Sequence, residues 1–169
     1  MKVTESQLVE YYFLYKDLVK LHRKFGFGTA PRTSENFTEA ICCHLFGFKK
    51  AFQLKKTREY DLEDPKTGQK IEVKATTDKK GRTRINPNSR FDKLYWLNFQ
   101  LDVDVLHIDV KDFTLFSSYL ENHSSKERVS ITLSEFGQSN LTFFKFEKSG
   151  LIVPMDLNGY LTYLKKIPA

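Results

Sequence analysis

Hydrophobic residues recur at helical spacing over the first two dozen positions, then give way to short runs at strand spacing. Leu8, Tyr11, Tyr12, Tyr15, Leu18, Val19 and His22 follow a 3.6-residue period and predict a helix from Thr4 to about Lys24. Thr4-Glu5-Ser6-Gln7 fits a capping box, and Gly26 fits a stop. The Tyr and Phe of this helix are read as core, with a subunit interface as the alternative. A second helix is expected from Ser34, its N-cap, to Phe46, closed by Gly47. It is apolar over most of its circumference, with Glu39 in the middle and Glu35 one turn earlier. Lys49 to Lys56 reads as a first strand or an extended entry to one. Tyr60–Asp64 and Gln69–Thr76 read as the two strands of a hairpin. Asp78 to Arg90 has no apolar period, and Gly81 and Pro87 mark it as a loop. Strands are expected at Leu94–Gln100 and Val103–Val110, a helix at Lys111–Asn122, strands at Arg128–Leu133 and Leu141–Phe146, and a closing helix at Asp156–Lys166. This order predicts one α/β domain over residues 1–169, a central mixed β-sheet flanked by helices.

The hairpin concentrates the chemistry. Asp64 and Pro65 start its turn, and Gly68 supplies the left-handed conformation that closes it. If Asp64 pairs with Gln69, then Glu63 faces Lys70 and Asp61 faces Glu72. Lys74, two residues on, points to the same side as Glu72, while Ile71, Val73 and Ala75 point the other way. Two carboxylates in direct opposition cost stability unless positive charge lies between them. A divalent metal with oxygen ligands, Mg²⁺ above all, meets that need. His44 and His107 are read as packing residues. Asp102 and Asp104 are read as turn and strand-end residues.

Composition narrows the classes. Of 169 residues, 40% are hydrophobic and 14% aromatic, which is globular rather than disordered. No run of 18 apolar residues spans a membrane, and the N-terminus lacks a signal-peptide layout. The two cysteines, Cys42 and Cys43, are adjacent and predicted helical, where they cannot readily bridge; a reduced, cytoplasmic interior and no zinc site follow. The net charge of +6 is unevenly placed: Lys49 to Lys93 carries 14 Lys and Arg against 7 Asp and Glu. That surplus around the hairpin is expected to bind a polyanion. Lys79, Lys80, Arg82, Arg84 and Arg90, with Asn86 and Asn88 among them, suit phosphates and base edges of duplex DNA. Gln138, Ser139 and Asn140 form a second candidate reading loop.

Asp61, ten residues, then Glu72-Val73-Lys74 resembles the signature of the PD-(D/E)XK nucleases, with Tyr60 where the family usually has proline. The resemblance covers roughly residues 34–122 and implies a restriction-endonuclease-like core. It implies a Mg²⁺-dependent endonuclease, with Mn²⁺ able to substitute, most like a small type II restriction enzyme. Asp61 and Glu72 would ligate the metal, with the Val73 carbonyl adding a ligand. Lys74 would orient or help deprotonate the attacking water and offset phosphorane charge. Glu39, or failing it Glu35, resembles the acidic residue that the family carries on its first core helix. Double-stranded DNA as partner and a homodimer are implied as well. Two alternatives stay open: a structure-specific or repair nuclease such as a junction resolvase, and a DNA-binding protein without catalysis.

Overall fold

The computed structural model describes residues 2–28, 31–51, 60–137 and 140–165. Helix α1, Glu5–Phe25, starts at the predicted capping box: the Gln7 amide donates to Thr4 Oγ1 at 3.3 Å, and the Thr4 amide to Gln7 Oε1 at 2.9 Å. Helix α2, Glu35–Phe46, follows, with Gly47 at its end. The strands are β1 Lys49–Lys50, β2 Leu62–Glu63, β3 Lys70–Thr76, β4 Arg82–Ile85, β5 Lys93–Gln100 and β6 Val105–Asp112. After them come α3 Ser117–Glu121, β7 Val129–Thr132, β8 Asn140–Glu147, β9 Leu151–Met155 and α4 Leu157–Lys165.

Seven strands form one mixed sheet in the order β1-β2-β3-β5-β6-β8-β9, and β4 with β7 forms a separate two-stranded ribbon. Among the described residues β3 and β5 run parallel, and the other pairings within the sheet are antiparallel. A parallel neighbour requires a crossover. Here the chain makes it through β4, which leaves the sheet to pair with β7.

Each sheet face buries a different set of side chains. On one, α1 (Leu8, Tyr12, Val19) and α2 (Phe37, Ile41, Cys42) pack on Ile71, Val73, Leu97, Phe99, Leu106 and Ile108. The alternation expected of β3 is therefore met: its odd positions enter this core, and Glu72 and Lys74 face away. On the other face, Leu94 and Trp96 are covered by Ile85, Val129 and Ile131 of the ribbon and by Phe116 and Leu120. A smaller cluster of Val105, Phe143 and Tyr160 seats α4. His107 packs edge-on against Phe143 and Tyr160 at 4.7 Å, and burial pushes its pKa down to about 4, in keeping with a packing role.

Three expectations need correction. The stretch 78–90 is not loop throughout: Arg82–Ile85 is a strand, registered Thr83 to Ile131 and Ile85 to Val129. Its apolar side is so short that the charged side masks the alternation. The predicted helix at 111–122 begins too early, because β6 runs on to Asp112. Lys111 is buried beside Asp109, a single 3-10 turn spans Phe113–Leu115, and only Ser117–Glu121 is α-helical. Strand β9 was not anticipated; it returns antiparallel to β8 after the turn at Gly150. Of the strand expected at 49–56, residues 49–50 are observed and 52–56 lie outside the described residues. Asp102 and Asp104 do lie in the turn before β6, where Asp104 adopts a positive φ of 57° and pairs with Lys16 at 2.6 Å.

Candidate functional site

The hairpin turn is built locally. Asp64 Oδ1 accepts the Lys66 amide and Oδ2 the Thr67 hydroxyl, both at 2.9 Å, and the Gly68 amide closes on the Asp64 carbonyl at 2.8 Å. The Lys66 amide first, with Thr67 adding, holds the Asp64 carboxyl below its usual range. Gly68 takes the left-handed φ of 72°. Register then follows by counting: Glu63 pairs with Lys70 and Leu62 with Ile71, and the Asp61 amide donates to the Ile71 carbonyl at 2.9 Å. The regular ladder ends at Leu62; Asp61 bends away from it, and its carboxyl still comes within electrostatic reach of Glu72.

Lys74 Nζ lies 2.6 Å from Glu72 Oε1. Asp61 Oδ2 accepts the Val73 amide at 2.8 Å, which ties one strand's carboxylate to the other's backbone. Burial, then the charge of Glu72, raises the Asp61 pKa to about 7 against the pull of the Val73 amide and Lys74; Glu39 adds to the rise. Burial pulls the Lys74 ammonium down, but Glu72 above all, with Asp61 and Glu35 adding, outweighs it and holds its pKa above the ordinary value. Lys74 is therefore a cation at neutral pH. Glu39, buried on α2, pairs with Lys50 of β1 at 3.0 Å, and Lys50 also reaches Asn36 Oδ1 at 2.9 Å. Asp61, Glu72 and Lys74 lie together, Glu39 bears on Asp61 as a weak charge, and Glu35 lies within electrostatic reach of Lys74.

Among the described residues, no three Asp, Glu, His or Cys side chains stand close enough to enclose a metal ion. The chemistry of the donors nonetheless fits a hard divalent cation. Two neighbouring carboxylates and the Val73 carbonyl offer oxygen only. Burial first, and the charge of Glu72 after it, disfavour the ionised Asp61, and a bound cation would offset both.

The predicted polyanion-binding residues divide into two groups. Lys79, Lys80, Arg82 and Arg84 are exposed, with Arg82 and Arg84 on the outer side of β4 beside Thr132 and Ser130. Asn86, Asn88 and Arg90, though exposed, turn back on their own loop and its neighbour. Asn86 Oδ1 accepts the Asn88 amide at 2.9 Å, Asn88 Nδ2 donates to the Ser124 carbonyl, and Arg90 donates to the Asn88 carbonyl. Of the second candidate loop, Gln138 and Ser139 lie outside the described residues, and Asn140 begins β8. Sequence reading missed Arg32. It comes from the loop after α1 and meets Arg82 across a groove of about 360 Å³ lined by Tyr15, Thr76, Thr77 and Asp78. With Arg82 and Arg84 it also lines an adjoining groove of about 290 Å³. No local pattern could have found it, since the loop and β4 are fifty residues apart.

Fold and site together define an α/β protein with a restriction-endonuclease-like core. Residues 2–135 match the model of the Bsp6I restriction endonuclease family, and the chain belongs to that family. It is similar to the type II restriction enzyme Bsp6I of Bacillus sp. (strain RFL6), 32% identical over 112 residues. The match covers 64% of this chain and 62% of that relative, so the chain spans less than two thirds of the length of the curated protein it matches. No helix among the described residues is long and apolar enough to cross a membrane.

Proposed function

We propose that this protein is a Mg²⁺-dependent type II restriction endonuclease of the PD-(D/E)XK kind, acting as a homodimer on a specific sequence of double-stranded DNA. The observation that supports this reading is the electrostatic closeness of Asp61 to Glu72, with Lys74 2.6 Å from Glu72, in a chain of this family. Asp61, Glu72 and the Val73 carbonyl would hold the Mg²⁺ (or Mn²⁺ in its place), with Glu39 beside them. Bound there, the metal would lower the pKa of water and stabilise charge on the leaving 3′ oxygen. The reaction adds water across a P–O3′ bond and leaves 5′-phosphate and 3′-hydroxyl ends. Lys74, held cationic, offsets the charge that accumulates on the phosphorane, so its part is electrostatic rather than that of a base. The Val73 amide holds the Asp61 carboxylate in position. Arg32, Arg82 and Arg84, with Lys79 and Lys80, hold the phosphate backbone.

The test is digestion of a mixed-sequence plasmid by wild type and Lys74→Ala, each with and without Mg²⁺. Discrete fragments from wild type alone, and only with the metal, are expected. Cleavage confined to branched DNA would turn the reading to a structure-specific nuclease. Binding without cleavage on any substrate would leave a DNA-binding protein.

A further inference from the structure

Helix α1 carries two apolar faces, and the fold covers one. Leu8, Val9, Tyr12, Tyr15 and Val19 face the core. Tyr11, Leu14, Leu18, Leu21 and Phe25 lie on another arc and are exposed, Leu14 by 64% and Phe25 by 57%. Their spacing is 3, 4, 3 and 4 residues, which keeps them in a straight seam along a helix of about 30 Å. Just past the helix end, Phe27 (68% exposed) extends the seam against Phe25, ring centroids 5.5 Å apart. Single exposed leucines are ordinary on a protein surface; a continuous seam of this length marks an interface.

We propose that this seam is where two copies of the chain pack, α1 antiparallel to α1 about a two-fold axis near Leu18. Charge selects the occupant and the direction. The charged flank of the seam bears Glu10 toward the N-terminal end and Lys20 and Lys24 toward the C-terminal end. A parallel pair would carry the two charged flanks to opposite sides of the dimer, where neither Glu10 nor Lys24 meets a charge of this flank on the other copy. An antiparallel pair sets Glu10 of each copy against Lys24 of the other, twice by symmetry. Asp17, near the axis, meets its own copy and opposes the pairing, so it works against the other charges in a way a test can read. This inference takes up the homodimer in the reading above, but its test is association alone and does not depend on whether the protein cleaves DNA.

Sedimentation equilibrium of the full chain, over 1–100 µM and without DNA or metal, tests it. Wild type is expected to run as a dimer of the 19.8 kDa chain, and Leu14→Glu/Leu18→Glu as a folded monomer with unchanged circular dichroism. Glu10→Lys or Lys24→Glu alone is expected to weaken the dimer roughly three- to tenfold, and the double exchange to restore it. Asp17→Asn is expected to tighten it. A wild type that stays monomeric at 100 µM, or a dimer that survives Leu14→Glu/Leu18→Glu, overturns the interface. A double charge exchange that fails to recover affinity overturns the antiparallel arrangement.

Discussion

The pattern acid, valine, lysine occurs twice, as Glu72-Val73-Lys74 on β3 and Asp109-Val110-Lys111 on β6. Both point to the same side of the sheet, and the register aligns them across β5: Glu72 with Leu94 and Lys111, Lys74 with Trp96 and Asp109. They are thus about 10 Å apart. Both acids touch their lysines, Glu72 to Lys74 at 2.6 Å and Asp109 to Lys111 at 2.8 Å. Their surroundings separate them. The Asp109–Lys111 side chains are 4% and 0% exposed, and Lys111 also donates to the Gly137 carbonyl. Asp109 pairs across to Leu141, so no second carboxylate faces it. Glu72 has the Asp61 carboxyl within electrostatic reach, and Lys74 is 21% exposed. An acid and a lysine two residues apart make an ion pair in any strand. On the proposed reading, a second acid and a path to solvent are what fit one of these pairs, and not the other, to a metal and a phosphate.

The comparison can be broken at its lysines. On the proposed reading, Lys74→Ala is expected to lower cleavage by roughly a thousandfold, and it is also expected to lower the melting temperature, since Glu72 and Asp61 are left without their cation. Lys111→Ala is expected to act on stability alone, costing about 3–5 kcal/mol because Asp109 is left buried and unpaired. That should lower the melting temperature by roughly 10 °C, with residual activity per folded molecule intact. The double change Asp109→Leu/Lys111→Met is expected to recover most of that loss. If Lys111→Ala abolishes cleavage in a folded protein, the roles assigned to the two pairs are wrong.

Trp96 is the wall between the pairs. Its Nε1 donates to Thr76 Oγ1 at 2.8 Å, and the Lys111 ammonium lies 5.9 Å from its ring. Gly81 lies directly against that ring, at a φ of 68°. A Cβ there would overlap the indole in a backbone conformation that alanine resists. Gly81→Ala is expected to cost about 2 kcal/mol in denaturant unfolding, with Trp96 fluorescence changed in the native state.

The smallest effect is in pH. The Asp61 pKa stands at about 7 in the fold against an ordinary 3.8. Between those values the folded protein keeps a proton that the unfolded chain has released, so this carboxyl's contribution to stability is full below pH 3.8 and lost as pH rises through 7. Asp61→Asn, without metal, is therefore expected to melt a few degrees above wild type at pH 8, the gap closing toward pH 4. A gap independent of pH would mean that Asp61 is not held protonated by burial and Glu72.

The hairpin was legible in the sequence because every step of it is local. Turn residues set the loop, the loop sets the register through Leu62, and a period of two puts Glu72 and Lys74 on one side; that Asp61 bends out of the ladder was not legible. Both long helices were legible for the same reason, from caps and a 3.6-residue period. Glu39 could be placed on its helix, but its proximity to Asp61 came from the packing of α2 on the sheet. Arg82–Ile85 was hidden because its partner, β7, is almost fifty residues away. Lys111 was read as the start of a helix from the helical spacing of Phe113, Phe116 and Leu120; folding instead buries it at the end of β6, where Asp109 and the Gly137 carbonyl offset the cost.

What the sequence determined by itself is whatever depends on neighbours within about ten residues: helix ends, the hairpin turn, and which side chains of β3 share a side. Tertiary structure alone decided which of α1's two apolar arcs entered the core, and which of two acid-valine-lysine runs kept access to solvent. It also decided that Arg32 would meet Arg82. These outcomes depend on contacts between distant segments, where the energy of burying a side chain is set by what arrives to cover it rather than by the residues beside it in the chain.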